Sequence, residues 1–129
     1  MPRNIDLTEA EWTLMEQLWA APGLTGRALT EALHKQTGWA RSTTLTLLRR
    51  LTEKGAVRTE EQDGMHVYFP AVSREDAAAR QTRNLLGRVY HGSLSLLVSA
   101  MTREEALSKA EIDELYAILD EMEAKQSDA

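Results

Sequence analysis

The chain has 129 residues, 43% of them hydrophobic and 27% charged, with no cysteine and a formal net charge of −5. At roughly 150 residues per domain this is one domain or two small ones. The absent thiols exclude disulfides, cysteine nucleophiles and thiolate metal ligands. No apolar run approaches the about 20 residues of a membrane span, and an acidic chain suits a nucleic-acid partner only where its cations are gathered locally.

The first element opens at Thr8, whose hydroxyl and the carboxylate of Glu11 have capping-box spacing. Trp12, Met15, Leu18 and Trp19 follow at helical spacing, and Pro22-Gly23 stops the helix. Thr25 is the next N-cap. Ala28, Leu29, Ala32 and Leu33 give a second apolar stripe, closed by Gly38. A third helix runs from about Arg41 to Lys54 and ends at Gly55, a good left-handed cap. At 100° per residue Thr44, Leu47, Leu48 and Leu51 point inward. Ser42, Thr46, Arg49 and Glu53 fall opposite, flanked by Arg50 and Thr43 on one side and Leu45 on the other. Then Asp63-Gly64 separates two β-prone runs, Ala56–Glu60 and Met65–Pro70, a strong hairpin signal.

The remainder reads as helical. Ser73 with Asp76, Thr102 with Glu105, and Ser108 with Glu111 all have cap spacing. A helix from Arg74 could reach Met101, but Gly87 and Gly92 weaken it and predict a break near Tyr90–Ser93. Its apolar residues include Leu86, Val89, Tyr90, Leu94, Leu97 and Met101. The last helix carries Ile112, Leu115, Tyr116, Leu119 and Met122 in one stripe.

Three helices and a two-stranded wing, followed by more helices, describe a mainly α fold with a small β-hairpin. We expect a winged helix-turn-helix over residues 1–72 and a helical region over 73–129. Residues 1–72 hold eight Lys/Arg and nine Asp/Glu, and 73–129 hold seven and eleven. Within 41–58, however, there are five cations (Arg41, Arg49, Arg50, Lys54 and Arg58) against Glu53 alone. A major groove about 12 Å wide admits one helix, provided one face anchors it and the other is polar. Ser42, Thr43 and Thr46 are short enough for base edges or a nearby phosphate, and Arg49 and Arg50 can reach guanine edges or the flanking strand. Lys54 and Arg58 suit phosphates, which set register and not sequence.

Other chemistries have no positive signal. His34, His66 and His91 lie on three different elements without metal-ligand spacing. There is neither a nucleophile elbow nor a glycine-rich phosphate loop. No enzyme activity, metal or cofactor is expected. Trp12, Trp19 and Trp39 read as packing residues, and the carboxylates between Glu104 and Glu123 as solvated helix faces. A winged-helix module for protein–protein interaction, without sequence-specific DNA binding, stands as the alternative.

Several segments also resemble the penicillinase-repressor (BlaI/MecI/CopY) family. They are Leu7-Thr8-Glu9-Ala10-Glu11-Trp12, Leu18-Trp19, the run Trp39–Leu51, Glu53-Lys54-Gly55-Ala56, Val67-Tyr68-Phe69-Pro70, Val72–Glu75, Asn84–Leu86, Gly92–Leu94 and Ile112–Leu119. The likeness runs from about Ile5 to Glu123. It implies a cytoplasmic bacterial repressor, a homodimer on a double-stranded, dyad-symmetric operator at a promoter. It gives DNA roles to Thr43, Thr46 and Arg50, and dimerisation to the C-terminal helices through Leu86, Val89, Tyr90, Leu94, Leu97, Met101, Ile112, Leu115, Tyr116 and Leu119. In the β-lactam branch, derepression follows proteolysis in those helices after signalling by a membrane sensor protease. The matching bond here is Ala100–Met101, where the family's pattern has Asn-Phe. The paired C-terminal cysteines of the copper branch are missing, and the wing arginine is replaced near Gly64-Met65.

Overall fold

A computed structural model describes residues 5–104 and 107–127. The chain divides into two compact units, Met1–Leu85 and Leu86–Ala129.

The first unit begins with α1 (Glu9–Ala20). The capping box forms as its spacing requires: the Glu11 N–H donates to Thr8 Oγ1, and the Thr8 N–H donates to Glu11 Oε1 at 2.9 Å. Residues Leu24–Thr25 then form β1, after which Thr25 caps α2 (Gly26–Thr37) by accepting from the Ala28 N–H. Gly38, at φ 80°, closes α2 in the left-handed region that favours glycine. The third helix, α3, spans Arg41–Lys54 and ends on Gly55 at φ 87°. Its buried residues are Thr44, Leu47, Leu48 and Leu51, the inward face expected from the sequence. With Leu14, Met15 and Leu18 of α1 and Leu29 and Leu33 of α2 they make the core.

The wing consists of β2 (Val57–Gln62) and β3 (Met65–Pro70), antiparallel around Asp63 and Gly64, both at positive φ. The expected hairpin is therefore present, but it belongs to a three-stranded sheet of order β1-β3-β2, with Leu24 opposite Tyr68 and Thr25 opposite Val67. Trp19 ties α1 to the chain beyond the wing, its Nε1–H donating to the Val72 carbonyl at 2.9 Å. It also packs edge-on against Trp12 with ring centres 5.1 Å apart. The tryptophans are core-packing side chains: all three lie half-buried against the cluster.

Ser73 caps α4 (Arg74–Val89), accepting from the Asp76 N–H. Residues of its first three turns belong to the first unit: Ala77 is buried in the core, Gln81 Nε2 donates to the Leu7 carbonyl, and Asn84 Nδ2 donates to Asp6 Oδ1.

In the second unit, the expected break falls at Tyr90–Ser93, with His91 at φ 51° and Gly92 at φ 81°. Ser93 then caps α5 (Leu94–Glu104), accepting from the Leu96 N–H. Thr102 opens no new helix. It lies within α5, and its hydroxyl donates to the Ser99 carbonyl; Glu105, its proposed cap partner, lies outside the described residues. Ser108 caps α6 (Lys109–Ser127) and accepts from the Glu111 N–H. No described residue of α5 or α6 is buried.

Candidate nucleic-acid interface

The helix α3 is held from behind and bare in front. Its leucine face seats it on α1 and α2, leaving Arg41, Ser42, Thr43, Leu45, Arg49 and Arg50 exposed and Thr46 half-buried. Among the described residues, none of Arg41, Arg49 and Arg50 joins an ion pair. Two guanidinium groups, Arg49 and Arg50, and three hydroxyls thus share one solvent-facing strip, with Arg41 beside it at the start of α3. Ala40 occupies the N-cap and offers no side-chain bond, so the first turn of α3 depends on solvent for its foremost N–H groups.

Lys54 and Arg58 are placed differently. The Lys54 ammonium donates to Glu11 Oε1 at 2.6 Å and to the Asp6 carbonyl at 2.9 Å. Glu11 is only 2% exposed. Burial pushes its carboxyl up, but the Lys54 hydrogen bond, the Thr8 N–H and the Lys54 charge together outweigh that, and it lies below the ordinary value. Lys54 is therefore a strut between the end of α3 and the start of α1. Arg58 pairs with Glu60 at 3.0 Å and lies over the Phe69 ring, 4.5 Å from its centre. The β2–β3 register puts Arg58 directly opposite Phe69, so the contact follows from the ladder. With Glu60, Glu61 and Asp63 exposed on the same hairpin, the wing is an acidic surface.

The structure adds cations that the sequence pattern leaves off the recognition surface. Arg27 and Lys35 of α2 join Arg41 and His34 around one cleft beside the start of α3. Arg27 is paired with Glu31 at 3.2 Å. His34 holds its Nδ1 3.1 Å from the Trp39 carbonyl, which requires the proton on that nitrogen. The signal was available as charges four and eight residues apart on α2, but only the α2–α3 packing brings Arg41 beside them.

A family model described as "Penicillinase repressor" matches residues 7–121. The chain belongs to the penicillinase repressor family. The family is one of repressors and not of enzymes. The chain is 30% identical over 121 residues to the penicillinase repressor of Bacillus licheniformis, covering 94% of each protein. It is 28% identical over 117 residues to the methicillin resistance regulatory protein MecI of Staphylococcus aureus, covering 91% of this chain and 95% of that one. Among solved structures, the DNA binding domain of the repressor BlaI superposes with TM-score 0.53 at 26% identity, over 59% of this chain and 93% of the other. The same values hold for the monomeric form of Bacillus licheniformis BlaI in complex with the blaP half-operator. The repressor MarR of Listeria monocytogenes, at TM-score 0.52 and 20% identity over 94% of this chain and 75% of the other, shares the fold alone. The winged-helix architecture expected from the order of elements is thus that of this family. No helix is long and apolar enough to cross a membrane among the described residues.

Proposed function

We propose that this chain is a DNA-binding transcriptional repressor that lays α3 in the major groove of a dyad-symmetric operator and occludes a promoter. The observation that carries the reading is the unpaired strip of Ser42, Thr43, Thr46, Arg49 and Arg50, with Arg41 beside it, on a helix anchored by buried leucines. The hydroxyls and Arg49 or Arg50 address base edges, and Arg41, with Lys35 nearby, addresses phosphates. Lys54 and Arg58, both already engaged, contribute donors only at the edge of the footprint. The complexed form of BlaI, with its half-operator, supports this reading by similarity.

The active species is a homodimer, acting in the cytoplasm where its DNA lies. The second unit supports this. Leu94, Met101, Ile112, Tyr116 and Leu119 are between 40% and 65% exposed, and Leu115 is 38% exposed; so much apolar surface on a small unit needs a covering. A second copy of the same helices would provide it with twofold symmetry that mirrors the operator. Leu86, Val89, Tyr90 and Leu97 extend that surface. Loosening the dimer, whether by proteolysis at Ala100–Met101 under a sensor protease or otherwise, removes bivalent binding and relieves repression. That bond lies within α5, with Ala100 half-buried, so its cleavage requires local unwinding.

Labelled DNA from upstream of the reading frame, titrated at several salt concentrations, tests the first part. A dimer neutralising about six to ten phosphates loses about 10³–10⁵ in affinity between 50 and 200 mM salt. Arg49→Ala with Arg50→Ala should cost at least about 10²-fold. Binding indifferent to salt and to this double substitution would overturn the DNA reading in favour of a protein-interaction module. A monomer by sedimentation at micromolar concentration would remove the dimer.

A further inference from the structure

We infer that the first unit carries a binding site for a small organic anion with an apolar body, in a cleft behind the recognition helix and independent of it. The cleft, about 540 Å³, lies between the segment leading into α1, the chain leaving β3 and the outer face of α4. Its size falls within the roughly 300–1,000 Å³ of small-molecule sites. Leu7 and Ala77, both buried, form the floor, and half-buried Ile5 and Val72 form the apolar walls. Arg80 and Arg83, three residues apart on one face of α4, stand at the rim. Arg83 is exposed, and no carboxylate of the described residues pairs with it.

A cleft with an apolar floor and walls and an unpaired guanidinium at its mouth selects for a ligand with matching halves. The body displaces water from the walls. A carboxylate accepts from the guanidinium, for which a planar, two-oxygen acceptor is the natural complement. Asp76 lines the cleft two helical turns from Arg83, about 10 Å along α4, so a second anionic group at that end is repelled. The ligand is therefore a monoanion with its charge at the Arg83 end. A cation of the same shape would meet two guanidinium groups and is disfavoured. Gly55, the cap of α3, and Ser73, the cap of α4, also line the cleft. An occupant thus lies against the end of the recognition helix and the start of α4 together.

The site rests on none of the DNA or dimer arguments, and its test uses no DNA. The full chain, ¹⁵N-labelled, is titrated with sodium octanoate, with octanamide as the neutral probe of equal length. Octanoate should shift the Val72, Ala77 and Arg83 amides saturably in the millimolar range or below, and octanamide should bind about tenfold more weakly. Arg83→Gln should weaken octanoate by about tenfold and leave octanamide unchanged. The exposed Ala79→Phe, which fills the cleft, should abolish both. Unchanged melting temperatures of the two variants would show that each still folds. The inference is overturned if those amides do not saturate by 10 mM, or if octanamide matches octanoate. It is overturned equally if Arg83→Gln leaves octanoate affinity unchanged, or if the shifts gather on α5 and α6.

Discussion

Replacing Lys54 by methionine tests whether this cation works inside the protein. The substitution keeps the length and apolar stem of the side chain but removes the donor to Glu11 and to the Asp6 carbonyl. Glu11, 2% exposed, would retain only its contacts with Thr8. Stripping one partner from a buried ion pair costs about 3–5 kcal/mol. Lys54 is itself 37% exposed, so solvent screens part of the interaction, and the surviving N–H bond offsets more. We expect a loss of about 2 kcal/mol, or roughly 8–16 °C in melting temperature for a unit of this size. The pH dependence gives a second, independent sign. In the native chain the folded-state pKa of Glu11 lies below its ordinary value of 4.5. Its ionisation therefore contributes stability above the unfolded pKa, lost as pH falls through the folded one. Without Lys54 two of the causes that lower the pKa are gone and it rises, so the stability that Glu11 loses on acidification should shrink, and the variant should come closest to the parent at pH 3. Urea denaturation between pH 3 and pH 7 measures both. A variant within 0.5 kcal/mol of the parent across that range would refute the strut and return Lys54 to the DNA surface.

Substitutions at two further positions probe the frame around α3. Thr44 is fully buried and its Oγ1 has no hydrogen-bond partner among the described residues, so Thr44→Val, of nearly equal shape, should stabilise by about 1 kcal/mol in urea denaturation; destabilisation would mean that the hydroxyl is bonded. Gly38 sits at φ 80° with open space where a Cβ would project, so Gly38→Ala should cost about 1–2 kcal/mol through backbone strain alone, with Gly38→Asn costing less. Equal melting temperatures for all three residues would refute the left-handed cap.

Features set by interactions within a few residues were legible in the sequence. Thr8, Thr25, Ser73 and Ser108 cap because a hydroxyl meets an N–H three residues on, and the inward face of α3 follows from helical geometry alone. The same local logic misread Thr102, whose hydroxyl can satisfy itself just as well on the Ser99 carbonyl within a continuing helix. What escaped depends on distant partners. Leu24–Thr25 is a strand only because Tyr68 and Val67 come alongside. Lys54 reads as one more cation of the basic run until Glu11, 43 residues away, is found beneath it. The seam between α4 and the segment before α1 is held by Gln81 and Asn84, polar side chains that leave no hydrophobic period to detect.

The acidic balance of the chain and its proposed attraction to DNA are reconciled by where the charges sit, and salt separates the two. The cations that matter lie on α3 and the neighbouring end of α2, whereas Glu111, Asp113, Glu114, Asp120, Glu121 and Glu123 lie exposed along α6. Pairing two copies through α5 and α6 brings like charges together around an apolar seam. Raising salt from 0.1 to 1 M shortens the screening length from about 10 Å to about 3 Å. This should strengthen the proposed self-association while it weakens the proposed DNA binding through counterion uptake. Sedimentation and operator titration across the same salt series should therefore move in opposite directions. If self-association instead weakened with salt in step with DNA affinity, ion pairs and not the leucine-rich stripes would hold the copies together, and the apolar seam would be the wrong account of the dimer.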